Sequence, residues 1–204
     1  MLNIIFWTVI GFIAGSIPFS PLLGRLFSHR NIRTVGDGNP GAANVWKACG
    51  WKIGMLAGVL DVSKGALPVF LARTTGGLSG WALVPVSLAP IFGHAFSPFL
   101  HFRGGKAIAA SLGSWLALTG LESIIVFAIF TLVTLAIQQE HAVSVVIGMS
   151  GLTAYWIVTR SPVNLVCIAV VNLLLLVWKH RRELLQPIHT RAWIKNIFLR
   201  LRSF

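Results

Sequence analysis

Long apolar segments alternate with short polar ones along almost the whole chain. A membrane-spanning helix needs roughly 20 mostly apolar residues, and seven segments approach or reach that length. They lie near residues 2–23, 53–72, 81–100, 107–120, 121–138, 143–159 and 163–178. The pattern predicts an all-α protein, a polytopic membrane helix bundle with about seven transmembrane helices, forming one integral-membrane domain over residues 1–204.

Four of these segments carry features that affect their interpretation. Pro85 and Pro90 interrupt the third, because proline removes a backbone donor from a helix. Little more than Gly120 and Glu122 separates the fourth from the fifth, so those two form either a re-entrant pair or one broken span. The first segment lacks a basic start and a small-residue cleavage site, which indicates a retained helix rather than a signal peptide.

Composition indicates the class of protein, and the placement of charged residues predicts its orientation in the membrane. The chain is 55% hydrophobic and only 11% charged, with a formal net charge of +12, which excludes an ordinary soluble domain. If the segments alternate in direction, the basic clusters around residues 25–52, 103–106 and 179–202 share one membrane face. Only Arg73 and Arg160 fall opposite. The positive-inside rule then makes the clustered face cytoplasmic and the N-terminus external, with a basic cytoplasmic tail from about residue 179.

Two polar, glycine-rich blocks interrupt the apolar pattern, at residues 31–65 and 93–113. Glycines let the backbone approach an anion with its N–H groups pointing inward, and nearby Lys and Arg side chains supply positive charge. The blocks therefore predict a phosphate-handling site at a membrane edge. Because the basic residues flank the membrane, anionic lipids are favoured over nucleic acid as their partner.

Familiar catalytic and phosphate-binding motifs do not fit these blocks. Residues 36–41 match G-x-G-x-x-G, but the dinucleotide-binding version needs a βαβ unit, and Pro40 lies inside this loop. Gly104-Gly105-Lys106 lacks the upstream glycine and the Ser/Thr of a P-loop. No His is followed four residues later by Asp, and no G-x-S-x-G elbow occurs. The chain thus offers no obvious nucleophile.

As an ordered set, the motifs resemble the PlsY family, integral-membrane acyl-phosphate:glycerol-3-phosphate acyltransferases. In chain order they are Gly15-Ser16-Ile17-Pro18, Asn31-Ile32-Arg33, residues 36–44, Asp61-x-x-Lys64-Gly65, Gly93-His94 and Phe102-x-Gly104-Gly105-Lys106. Each motif alone is weak, whereas the set at family-like spacing in a hydrophobic chain of 204 residues is specific.

The resemblance implies a seven-helix bundle with a cytoplasmic site and a defined reaction. A fatty acyl group would pass from acyl phosphate to the first hydroxyl of glycerol 3-phosphate, giving lysophosphatidic acid and phosphate, without metal or cofactor. Since acyl phosphate is already activated, positioning and charge stabilisation can carry the catalysis. The candidate catalytic residues are Asp37, His94, Lys106 and Ser144. The candidate substrate- and phosphate-binding residues are Arg33, Gly36, Gly38, Asn39, Gly41, Asn44, Lys47, Asp61, Lys64, Arg103, Gly104 and Gly105.

The chain departs from the family pattern at several positions. Asp37, Ala43 and Lys47 stand where the family usually has Ser, Thr and Arg, and the C-terminal pattern is poorly kept, with Glu183 in place of Asn. An unpaired carboxylate at residue 37 would repel phosphate. One alternative is therefore a catalytically weakened relative that binds acyl phosphate or lipid phosphate. A small membrane transporter is disfavoured, because no paired half-sequences with inverted topology occur.

Some candidates also have a structural interpretation. Asp61 and Lys64 are three residues apart and share a helix face, so they form either a structural ion pair or part of the site. His94 could hydrogen-bond beside a helix end instead of contacting substrate. The sequence leaves both alternatives open.

Overall fold

The computed structural model describes residues 1–194, and its regular elements in that range are helices. The α-helices are α1 (Leu2–Ser16), α2 (Phe19–Ser28), α3 (Ala42–Cys49), α4 (Trp51–Thr74), α5 (Leu83–Ala95), α6 (Ile108–Thr119), α7 (Leu121–Ile137), α8 (His141–Val158) and α9 (Val163–Leu184). Single 3₁₀ turns lie at Ile32–Thr34, Gly80–Ala82 and Pro98–Leu100. The end of the predicted basic tail, with Lys195, Arg200 and Arg202, lies outside the described residues.

The predicted all-α membrane bundle is confirmed, and a helix occupies each of the seven apolar segments. Five helical stretches within residues 1–194 are long and apolar enough to cross a membrane: Leu2–Ser28, Trp51–Thr74, Gly80–Leu100, His141–Val158 and Val163–Leu184. Helices α6 and α7 are shorter. With 12 residues, α6 covers about 18 Å, less than the ~30 Å of a hydrocarbon core.

The prolines of the third segment do not interrupt its helix, contrary to the sequence-based expectation. Pro85 lies in the first turn of α5, where a backbone N–H has no helical partner in any case. Pro90 is accommodated inside the same continuous helix. A second boundary also differs, because α9 continues past residue 178 to Leu184 and makes the start of the predicted tail helical.

A real break occurs instead in the first segment, between α1 and α2. Pro18 has no N–H and sits between the end of α1 at Ser16 and the start of α2 at Phe19. The break exposes the carbonyl group of Ile17, which accepts a hydrogen bond from Lys64 Nζ at 2.8 Å. Lys64 of α4 thereby places its charged side chain against the end of α1.

Reciprocal glycine contacts hold two helix pairs close together, α1 with α5 and α4 with α6. The four glycines are Gly15, Gly93, Gly65 and Gly113. A β-carbon built on any of them would lie 2.0–2.2 Å from a backbone carbonyl oxygen of the partner helix. Small residues allow this close backbone approach between membrane helices. Larger side chains at these positions would push the helices apart.

Buried polar contacts connect α6 to α9. The indole Nε1 of Trp115 donates to Asn172 Oδ1 at 3.1 Å, and Asn172 Nδ2 donates to Ser111 Oγ at 2.9 Å. All three side chains are almost completely buried. Because these groups satisfy one another, they fix the register of α9 against α6. This register determines where the end of α9 meets the polar loops.

Candidate active site

The candidate residues lie around the α1–α2 break and two loops, and most of them form three neighbouring groups. The buried ion-pair group contains Ser20, Asp61, Lys64 and His94. The Asp37–Lys106 network contains Asp37, Asn39, Asn44, Lys106 and Glu183. The arginine basin contains Arg25, Arg33, His101 and Arg103. The two loops are the Asp37 loop, residues 35–41, and the Gly-Gly-Lys loop, residues 101–107.

The buried ion-pair group is centred on Asp61 and Lys64 of α4, which are only 1% and 6% exposed. Lys64 Nζ lies 2.8 Å from Asp61 Oδ1 and also donates to the carbonyl of Ile17. Ser20 Oγ of α2 donates to Asp61 Oδ2 at 2.9 Å. The pair therefore ties α4 to both sides of the helix break.

His94, at the end of α5, connects this group to the Gly-Gly-Lys loop. Its Nδ1 lies 3.9 Å from Asp61 Oδ1, and its carbonyl oxygen accepts a hydrogen bond from the N–H of Gly105 at 3.1 Å. A β-carbon on Gly105 would lie 2.3 Å from His94 Nε2, and one on Gly104 would lie 2.0 Å from the His94 carbonyl oxygen. Both glycines are required for the loop to pack directly on the histidine.

Lys179 of α9 fixes the same loop from the other side. Its Nζ donates to the carbonyl of Ala95 at 2.9 Å and to that of Gly104 at 3.2 Å. Sequence analysis assigned this residue to a basic tail. Its position after a long apolar run carries no signal that distinguishes a loop anchor from a surface charge.

The Asp37 loop folds around its own carboxylate. Gly36 and Gly38 have left-handed backbone conformations, with φ of 59° and 72°, which glycine adopts without strain. Asn44 Nδ2 donates to Asp37 Oδ1 at 2.8 Å and to the Asn39 carbonyl at 2.9 Å. The backbone N–H of Asn39 also donates to Asp37 Oδ1, at 3.2 Å. Asp37 thus organises the conformation of its own loop.

Lys47 and Gly41 complete the surroundings of this loop. A β-carbon on Gly36 would lie 2.9 Å from Lys47 Nζ and 2.4 Å from Asn44 Oδ1, so Lys47 extends along the loop. Gly41 precedes α3, and no side chain caps the N-terminus of that helix. The loop therefore combines an ammonium group with the backbone N–H groups of a first helical turn.

Lys106 connects the two loops and reaches α9. Its Nζ lies 2.7 Å from Asp37 Oδ2 and 3.3 Å from Glu183 Oε1, and its side chain is 21% exposed. Burial raises the pKa of Asp37, but hydrogen bonds from Lys106, Asn44 and Asn39 and the Lys106 charge lower it more, to about 2. Asp37 is therefore an ionised, paired carboxylate at neutral pH. Glu183, which lies outside the well-kept motifs, is a second anionic partner that sequence analysis did not assign to the site.

A very small cavity of about 10 Å³ lies between the buried ion-pair group and both loops. Asp61, Lys64 and His94 line one side of it, and Pro40 and Gly105 line the other. The structure therefore brings the predicted residues of α4 and α5 next to the two glycine-rich loops, although they are far apart in the chain.

Ser144 is not joined to these groups. Its hydroxyl is fully buried at the start of α8, where it accepts from Gln138 Nε2 at 2.7 Å and donates to the Glu140 carbonyl at 3.3 Å. Within residues 1–194 it hydrogen-bonds to none of the other candidates. A catalytic role for Ser144 stays a prediction.

Arg33 and Arg103 meet in the arginine basin. The Arg33 guanidinium donates to the carbonyl of Arg103, so it links the end of the first block to the Gly-Gly-Lys loop. With Arg25 and His101 these residues line a concavity beside the Asp37–Lys106 network. The two predicted phosphate-binding arginines therefore lie together, and Arg103 is in the loop that also carries Lys106, three residues later.

Comparisons with known proteins agree with this arrangement. The family model described as "Glycerol-3-phosphate acyltransferase" matches residues 5–189. "Glycerol-3-phosphate acyltransferase 1" of Thermotoga maritima is 35% identical, covering 97% of this chain and 100% of its own length. "Glycerol-3-phosphate acyltransferase" of Thermus thermophilus is 37% identical, covering 87% of this chain and 88% of its own.

Solved structures extend the similarity to the arrangement of the helices. The crystal structure of PlsY, an integral membrane glycerol 3-phosphate acyltransferase, in its glycerol 3-phosphate form superposes with a TM-score of 0.79. The two chains are 29% identical, and the match covers 96% of this chain and 98% of that one. The lysophosphatidic acid form of PlsY matches with a TM-score of 0.75. By its sequence motifs, its relatives and its helical architecture, the chain belongs to the PlsY family of integral-membrane glycerol-3-phosphate acyltransferases.

Proposed function

We propose that this protein transfers a fatty acyl group from acyl phosphate to the first hydroxyl of glycerol 3-phosphate. The observation that carries the proposal is the position of Lys106, which meets the glycine-rich Asp37 loop at the edge of the bundle. Both substrates carry phosphate, and Lys106 and Lys47 supply two ammonium groups beside that loop. Backbone N–H groups at the uncapped start of α3 provide further donors for an anion.

An apolar groove beside this loop suits the acyl chain of the donor. It lies between α3 and α4, has a volume of about 470 Å³ and includes Ala42, Trp46 and Met55 in its wall. Gly58 leaves room along α4, and Gly54 lets Trp46 of α3 pack directly on that helix. Since Ala42 directly follows the Asp37 loop, a chain in the groove would place the carbonyl carbon near the loop and the phosphate against its cations.

In the proposed reaction the glycerol hydroxyl oxygen attacks the acyl carbonyl carbon. The bond from that carbon to the phosphate oxygen breaks, and the hydroxyl proton leaves with the released phosphate. Lys106 and the loop N–H groups would stabilise the negative charge on the phosphate and orient both substrates. His94 would act as a positioning residue, because it packs against Gly104 and Gly105 rather than against Lys106 itself.

The direct test is acyl transfer by the purified full chain in a bilayer. Labelled glycerol 3-phosphate and palmitoyl phosphate should give labelled lysophosphatidic acid, whereas palmitoyl coenzyme A and palmitoyl acyl carrier protein should not replace the donor. Turnover with coenzyme A thioester alone would contradict the proposed donor while leaving an acyltransferase.

A catalytically weakened relative is the second candidate, and one observation favours it. Lys106 contacts two carboxylates, Asp37 and Glu183, and a substrate phosphate would have to displace at least one of them. Saturable binding of palmitoyl phosphate without transfer would support this candidate. Measurable transfer by the unmodified chain would exclude it.

The Asp37→Ser variant tests whether the carboxylate at this position hinders phosphate binding or contributes to catalysis. We expect the apparent KM for the phosphate substrate bound by Lys106 to fall about fivefold. The Asp37 carboxylate competes with that phosphate for Lys106, and its ion pair with Lys106 is worth roughly 1 kcal/mol. Asp37→Asn, which keeps a hydrogen-bonding side chain, serves as the matched control for charge. Loss of measurable transfer in both variants would show that the carboxylate acts positively, for instance as a base toward the glycerol hydroxyl.

The orientation of the chain is a further expectation of the proposal. Single cysteines introduced near positions 35 and 104, the second at the exposed Phe102, should react with an impermeant reagent only from the cytoplasmic side, and one at position 76 only from outside. The expectation rests on the uneven distribution of Lys and Arg. Labelling of position 76 from the cytoplasm would reverse the orientation and move the proposed site to the external face.

A further inference from the structure

The arginine basin has features that the proposed acyl transfer does not use. It is a concavity of about 550 Å³ lined by Arg25, Arg33, His101 and Arg103, with Phe99 and Leu100 on its apolar side. Arg25 belongs to α2 and is exposed, and it was not among the candidates for substrate binding. The basin therefore presents positive charge from three separate segments to one space.

Within residues 1–194 no carboxylate neutralises this charge. The chain has five Asp and Glu residues, and all five lie within the described range and have partners elsewhere. Asp37 and Glu183 contact Lys106, Asp61 contacts Lys64, Glu122 accepts from Tyr155 and Glu140 lies beside His189. The three guanidinium groups thus have no internal counter-ion among residues 1–194. An anion from outside the chain is the complementary partner.

An apolar groove continues directly from the basin. It has a volume of about 420 Å³ and shares Arg25, Phe99 and Leu100 with the basin. Its remaining lining comes from the α1–α2 break and the start of α2: Ile17, Pro18, Pro21 and Leu22. Phe99 and Leu22 are 60% and 52% exposed. The combined surface is amphipathic, with charge at one end and an apolar channel at the other.

We propose that this surface binds an anionic phospholipid, with the phosphodiester in the arginine basin and one acyl chain in the adjoining groove. A guanidinium group offers parallel N–H donors that match phosphate oxygens. A free phosphate ion would use the basin and leave the groove empty, so the groove argues for a lipid. Because the lipid would contact both α2 and the loop at 99–103, it would hold these two segments together. The inference does not depend on acyl transfer.

Arg25→Gln in the full chain tests the inference. Binding of palmitoyl-oleoyl phosphatidylglycerol to the purified protein is measured by native mass spectrometry, with phosphatidylcholine of the same chains as reference. The wild-type protein should retain phosphatidylglycerol preferentially, and Arg25→Gln should weaken its binding about fivefold, the usual effect of one basic residue on an anionic headgroup. Equal retention of both lipids by the wild type would overturn the proposal.

Arg30→Gln is the matched control for general surface charge. Arg30 is exposed and lies just beyond α2, but it lines neither the basin nor the groove. Its replacement should change phosphatidylglycerol binding by less than about twofold. Equal losses for the two variants would show that only overall positive charge attracts the lipid, which would also overturn the proposal.

Three further measurements distinguish a lipid from a free phosphate group, test the guanidinium geometry and exclude misfolding. Glycerophosphoglycerol, the headgroup without acyl chains, should fail to displace the lipid, and displacement at equal concentration would indicate a phosphate site. Arg25→Lys preserves charge but loses the planar fork, so its binding should fall between those of the wild type and Arg25→Gln. Acyl transfer by Arg25→Gln in phosphatidylcholine bilayers should stay within about twofold of wild type, so lipid binding and catalysis are tested separately.

Discussion

Replacing Lys106 with alanine should lower kcat/KM for acyl transfer about ten- to a hundredfold while the protein still folds. A charge-assisted hydrogen bond to a phosphate is worth roughly 1.5–3 kcal/mol, which corresponds to this range. The side chain is partly exposed and lies in a loop, so its removal should leave the helix packing intact. Steady-state kinetics with palmitoyl phosphate and glycerol 3-phosphate, together with thermal unfolding in detergent, measures both effects.

Lys52→Ala provides the matched control for Lys106→Ala. Lys52 is an exposed lysine near the start of α4 that lies over the Trp51 ring and makes no ion pair within residues 1–194. Its removal should leave kcat/KM nearly unchanged. If the two variants were equally active and equally stable, Lys106 would be no more than a connection between Asp37 and Glu183. Lys106→Arg should recover part of the activity, because it keeps the positive charge.

Asp61→Asn should lower the free energy of unfolding by about 3–5 kcal/mol. Removing one partner of a buried ion pair leaves the other charge without compensation, and here Lys64 would lose its one carboxylate and keep neutral partners such as the Ile17 carbonyl. Asparagine preserves the size of the side chain, so the effect isolates the charge. For a chain of this size the melting temperature should fall by about 10 °C, as measured by thermal unfolding in detergent.

The double variant Asp61→Asn with Lys64→Met separates pairing from packing. Methionine keeps an unbranched, apolar side chain of similar length, so the double variant should recover most of the stability that Asp61→Asn loses. If it recovers stability but not acyl transfer, the pair contributes to the site as well as to the fold. An Asp61→Asn protein as stable as wild type would show that Lys64 needs no counter-ion at this position.

The sequence predicted the helical class and the approximate spans because hydrophobic length is a strong local signal. It failed at the details that depend on packing. From the sequence alone Pro90 predicts a helix interruption, but it is accommodated within α5. The break at Pro18 instead frees the Ile17 carbonyl, which accepts a hydrogen bond from Lys64, far away in the chain. Helix ends within polar segments carry weak local signals, as at the end of α9, where Leu184 follows a run of charged residues.

The candidate site was predictable as a set of residue types but not as a geometry. The comparison of Asp37 with the family's serine suggested repulsion of phosphate, yet the carboxylate is ionised and paired with Lys106. Glu183 and Lys179 were missed because each acts on loops more than seventy positions earlier in the chain. Arg33 and Arg103 line the arginine basin, whereas Lys106 contacts Asp37 and Glu183, and residue type alone does not predict this difference.

The reciprocal glycine contacts have a consequence for how the chain assembles during synthesis. Helix α1 enters the membrane first, but its glycine surface fits α5, and the glycine of α4 fits α6. In an early insertion intermediate, α1 and α4 are therefore in the membrane while their glycine-contact partners, α5 and α6, are still unsynthesised. In the two-stage view of membrane protein folding, insertion precedes helix association. A chain truncated after α4 should consequently be inserted but unassembled, and therefore more susceptible to membrane proteases than the full chain.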